Sequence, residues 1–160
     1  MTTYYKHYFE EDNEEQYFEL DEELHCLRSM SLKEGTYKTS NMAGDYSLSE
    51  GSFVEVLDQL TPIEEKEFQR NWDIAIEPYR QKWEAIEEVI KSGQIITATI
   101  ICFYPQGVIM DIGTDFAGLL SIADCNKVFS EEKQYPGNSA KFRVMGFEEE
   151  QMWIILGKVD

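Results

Sequence analysis

The hydrophobic pattern changes period at Gly93. Upstream, Phe68, Trp72, Ile76, Tyr79, Trp83, Ile86 and Ile90 recur every three or four residues, which predicts one apolar stripe on an amphipathic helix. Arg70, Asp73, Arg80, Lys82, Glu84, Glu87 and Glu88 fill the opposite face. Thr61-Pro62-Ile63-Glu64 offers that helix an N-cap, a proline at its first position and a glutamate behind it. Pro78 removes a backbone donor and is expected to kink or split it. The stripe keeps its phase across the proline, so both halves are expected to face one surface. Gly93 ends the helix, with Lys91 in its last turn. Nearer the start, Tyr17, Leu20, Leu24 and Leu27 have helical spacing and predict a short helix over 14–28. The stretch 29–49, with Gly35 and Gly44, reads as loop. Phe53, Val54, Val56, Leu57 and Leu60 predict another short helix, capped by Ser49 or Ser52.

After Gly93 the residues suit strands. Residues 94–102 are rich in Ile and Thr, whose branched side chains pack well on a pleated surface. Further strands are expected over 108–112, 116–122, 140–145 and 152–156. The breaks are Pro105-Gln106-Gly107, Gly113-Thr114-Asp115, Tyr135-Pro136-Gly137 and the turn 146–151. Short strands with these turns fit a Greek-key barrel. The expected fold is therefore α+β: a helical N-terminal region over 1–92 with a long Pro-kinked helix, then a five-stranded antiparallel barrel over 93–160.

Charge alters this picture more than composition does. Hydrophobic residues make up 42% of the 160, enough for a packed core. The formal charge is −17, from 14 basic and 31 acidic residues. Beyond Gly93 the basic residues are Lys127, Lys133, Lys141, Arg143 and Lys158, so the acidity lies mainly upstream. A run of carboxylates over 10–15 reads as a solvated end, or as a contact for a basic partner. Cys26, Cys102 and Cys125 are odd in number and widely spaced, which argues against a disulfide framework or zinc ribbon. The first residues lack the apolar run of a signal peptide, and no stretch approaches the ~20 apolar residues of a membrane span. The expected location is the cytoplasm.

Taken in order, the downstream residues resemble the S1 RNA-binding domain, an oligonucleotide-binding (OB) barrel. The resemblance covers about residues 93–158. It rests on Gly93, Ile96, Ile100, Gly107, Asp111-Ile112-Gly113 and Gly118-Leu119-Leu120-Ser121-Ile122. Further along it rests on Gly137, Lys141-Phe142-Arg143-Val144, Glu148-Glu149-Glu150 and Trp153-Ile154-Ile155-Leu156. It implies binding of single-stranded RNA, with bases stacked on aromatic rings and cations on the phosphates. Positions that carry rings or cations in typical members hold Gln106, Ile109, Ser121 and Cys102 here. The residues placed to take over are Tyr104 and Phe116 as rings and Lys127, Lys141 and Arg143 as cations.

Other chemistry is sparse. His25-Cys26 has only Glu22 and Glu23 near it, too few converging ligands for zinc. There is no glycine-rich phosphate loop, and no spacing singles out an acid–base pair. No cofactor or metal is expected, and no enzymatic activity. Two functions follow. One is an RNA-binding or ribosome-associated protein. The other is an acidic protein-binding module, an immunity- or antitoxin-like inhibitor of a basic RNA-binding or nuclease partner.

Overall fold

A computed structural model describes residues 1–42, 48 and 51–160. The expected positions of Ser49 and Gly44 lie outside the described residues. The fold is α+β, with two compact units. The first comprises Met1–Ser40 and Asp45–Arg80, the second Asn41–Gly44 and Gln81–Asp160.

The first unit is built on a sheet, which corrects the expectation of a mainly helical N-terminal region. Strands β1 (Thr3–Phe9), β2 (Glu14–Leu20), β3 (Cys26–Lys33), β4 (Thr36–Thr39) and β5 (Thr61–Ile63) form an antiparallel sheet of order β4-β3-β2-β1-β5. The helix expected over 14–28 is instead β2, a turn and the start of β3. Its helical spacing was misleading because β2 is covered on both faces, so Tyr17, Phe18, Glu19 and Leu20 are all buried in succession. Part of the expected loop 29–49 is a hairpin. Glu34 and Gly35 both have positive φ, 51° and 79°, the backbone of a two-residue turn whose twist matches the strands it joins.

Helix α1 (Glu65–Glu84) covers one face of this sheet. Phe68 packs its ring 5.3 Å from Tyr4, and Tyr37 donates a hydrogen bond to Asn71. The Arg28 guanidinium lies 4.9 Å from the ring centroids of both Phe68 and Trp72, and it pairs with Glu19. On the other face Phe53 packs against Phe18 at 5.1 Å. The helix expected around Phe53 reduces to a 3-10 turn over Leu57–Gln59. Thr61 and Pro62 do not open α1. They belong to β5, an edge strand, where a residue without an N–H costs no ladder bond. Pro78 does not split α1, and the break falls at Ala85, before a short α2 (Ile86–Val89). The stripe does not serve one surface. Phe68 and Trp72 pack within the first unit, whereas Trp83 packs within the second.

The second unit is a closed five-stranded barrel of order β10-β8-β7-β6-β9. Its strands are β6 (Ile95–Tyr104), β7 (Gly107–Asp111), β8 (Gly118–Leu120), β9 (Ser139–Glu148) and β10 (Trp153–Lys158). It is not wholly antiparallel, because β8 and β10 run parallel. Directions cannot alternate all the way round a ring with an odd number of strands, so one pairing has to be parallel. Ala98, Ile100, Val108, Met110, Leu120, Phe142, Val144 and Ile154 are each buried to 1% exposure or less and fill the interior. Two glycines let the strands approach. A Cβ on Gly107, at φ +146°, would sit 2.6 Å from the Leu120 carbonyl oxygen, and one on Gly118 would sit 2.7 Å from Leu156. The strand expected over 116–122 is short because Ser121 caps a helix, α3 (Ile122–Val128), accepting a hydrogen bond from the Asp124 amide. Among the described residues, no helix is long and apolar enough to cross a membrane.

Candidate nucleic-acid interface

Side chains alternate between the two surfaces of a strand, so the barrel's exterior can be read from its register. Cys102, Ile109, Leu119 and Ile155 are cross-strand partners in one row over β6, β7, β8 and β10. The row consists of one thiol and three aliphatic groups, of which Cys102, Leu119 and Ile155 are half-buried. Ile109 is fully buried on the outer side, as Val108 and Met110 are on the inner side.

Tyr104 and Phe116, expected as exposed rings, are 7% and 3% exposed. Tyr104 packs 6.2 Å from Trp153, and the Trp153 indole N–H donates to the Asn41 carbonyl. Asn41 in turn donates to the Gln151 carbonyl at 2.8 Å. Phe116 packs 5.2 Å from Trp83 and bridges to Met42. The Trp83 indole N–H donates to Glu149 at 2.6 Å. This corrects the expectation for both rings. The sequence placed them beside turns, but Trp83, Trp153, Asn41 and Met42 cover them, so neither has a face for a base.

The three predicted cations stand differently. Lys127 lies on α3, its side chain 62% exposed, with its ammonium 3.9 Å from Asp124. Lys141 and Arg143 are alternate residues of β9, so they share one surface. Their partners on β6 are Thr97 and Ile95. Lys141, Thr97 and Ile95 are exposed, and the flanking Ala98 and Phe142 are buried, so this surface faces outward. Arg143 Nη1 donates to the Gly93 carbonyl at 2.8 Å, which holds the guanidinium against the strand. Thr99 and Ser139 continue the strip, with their hydroxyls 2.6 Å apart.

The strip runs into the loop that holds Tyr135-Pro136-Gly137. Ile100 donates to the Asn138 carbonyl and accepts from the Gly137 amide, which ties the loop to β6. Tyr135 in that loop is 55% exposed. The Pro136-Gly137 turn beside it was no signal of this, since Tyr104 precedes a similar turn at Pro105-Gln106-Gly107 and is buried. Strand β6 contains no charged residue, and the only acid in β9 is its last residue, Glu148. Asp111, opposite Thr99 on β7, borders the strip, and Glu131 and Glu132 precede Lys133 in the loop.

Two of the three thiols are shielded. Burial, with a smaller contribution from the charge of Glu19, pushes the Cys26 thiol up to about 12, and burial also raises Cys125. Both therefore stay protonated near neutrality, unlike thiolate nucleophiles or metal ligands. Cys26 donates to the Arg28 carbonyl, whereas the His25 ring lies beside Asp21 and Glu23. Among the described residues no group of His, Cys, Asp and Glu is arranged to hold a metal. No protein-family model matches the chain, and no curated protein is similar to it in sequence.

Proposed function

We propose that the barrel is of the oligonucleotide-binding type, related to the S1 RNA-binding domain, and that the chain is a non-enzymatic RNA-binding protein. Its ligand is single-stranded RNA, free or presented by an RNA-bearing machine such as the ribosome. One observation carries the reading. The ring order β10-β8-β7-β6-β9, with a helix between β8 and β9, agrees with the Greek-key barrel that serves oligonucleotide binding elsewhere. Lys141 and Arg143 on an outward strip add the cations that phosphates need.

The test is binding of a labelled single-stranded RNA across a salt series. Detectable affinity is expected at low salt, and its logarithm should fall with log salt at a slope of about −0.7 per phosphate contacted. No binding at low salt overturns the reading.

A second reading is favoured by the burial of Tyr104 and Phe116 together with the −17 charge. In it, the chain is an immunity- or antitoxin-like module whose acidic surface meets a basic RNA-binding or nuclease partner. It predicts a salt-sensitive complex with a purified basic ribonuclease and no complex with RNA.

A further inference from the structure

We infer that RNA runs along the outer strip of β6 and β9, and not across the β7–β8 face that such barrels ordinarily use. This rests on the functional reading above and assigns its surface. The ordinary face offers a base no ring to stack on, since Ile109 is fully buried at its centre, Leu119 and Ile155 are half-buried aliphatic groups, and Tyr104 is covered beside them. The β6–β9 strip is outward-facing and carries the chemistry that a single strand needs in linear order. Arg143 and Lys141 lie two residues apart on one strand, a rise of ~7 Å. That spacing lets each meet a different phosphate of an extended backbone. The Thr97 hydroxyl stands opposite Lys141, and the Thr99–Ser139 pair beyond it, one proton of which joins the two hydroxyls, leaves one more donor for phosphate or ribose. Tyr135, exposed in the loop whose backbone bonds to β6 at Ile100, adds a ring near that end of the strip for a base to stack on. Charge complementarity commits the strip to a polyanion. In a chain with 31 acidic residues, β6 has none and β9 has only Glu148. The bordering Asp111 and the pair Glu131 and Glu132 limit the site to a short stretch of strand.

The experiment uses the full chain and a fluorescent oligouridine. Lys141→Gln is expected to reduce the salt slope by about 0.7, with a larger drop for Lys141→Gln combined with Arg143→Gln. Tyr135→Ala is expected to weaken binding about tenfold or more, and Tyr135→Phe to restore it, because stacking needs the ring and not the hydroxyl. Lys82→Gln, which only breaks an exposed pair with Asp115, serves as the control and should leave affinity unchanged. Circular dichroism confirms that each variant is folded. RNA binding that survives intact in folded Lys141→Gln and Tyr135→Ala overturns the strip while leaving the RNA reading in place. Absence of binding by the wild type removes both.

Discussion

At the scale of single residues, the most consequential side chain is Arg28. It is 3% exposed, lies against both Phe68 and Trp72, and pairs with Glu19. A buried pair contributes little net stability against an apolar alternative, but losing one partner strands the other charge. Arg28→Ala is therefore expected to cost about 3–5 kcal/mol, read as a lower denaturant midpoint with an unchanged slope. A loss under 1 kcal/mol would show that Glu19 is not held as a buried charge. Cys26 gives a pH signature. Its folded value is raised to about 12, above the ordinary thiol range, so the native state holds this proton more tightly than the unfolded chain. Its contribution is fully present below the ordinary thiol value and is lost as pH rises towards about 12. Between those limits the wild type should lose stability more steeply than Cys26→Ala does. Parallel slopes would show that the thiol ionises without penalty in the folded state.

At the scale of elements, α1 contains an internal tension. Pro78 is exposed within a continuous helix, where it removes one backbone bond. Pro78→Ala restores that donor and is expected to stabilise the protein by up to about 3 kcal/mol, raising the melting temperature. An unchanged or lower melting temperature would mean the helix had already adapted to the ring. The barrel makes the opposite demand at Gly107. Its positive φ and the close Leu120 carbonyl leave no room for a methyl group, so Gly107→Ala is expected to lose more than ~1 kcal/mol. Gly146→Ala has open space in the same barrel and is the comparison.

At the scale of the whole molecule, a charge of −17 on 160 residues makes each carboxylate repel many others. Among the described residues, few of the exposed carboxylates have cations beside them, and pairs such as Lys82 with Asp115 are exposed and weak. Raising sodium chloride from low salt to physiological strength shortens the Debye length to about 8 Å and should raise the melting temperature. A fall would mean attractive pairs outweigh the repulsion. The same salt should stabilise the chain while weakening the phosphate contacts proposed above.

How much was legible followed from local chemistry. The stripe from Phe68 to Ile90 and the branched residues of β6 determined α1 and most barrel strands, because amphipathic period and β-branching act over a few residues. The glycine turns placed the barrel breaks for the same reason. The sheet of the first unit was not legible, because burial of β2 on both faces erases alternation, and only the packing of α1 and Phe53 creates that burial. The direction of β10 depended on closing an odd ring. The candidate interface followed the same division. Lys141 and Arg143 share a face by strand geometry alone. Whether Tyr104, Phe116 or Tyr135 presents a ring was decided by what packs on each, a contact between residues far apart in the chain.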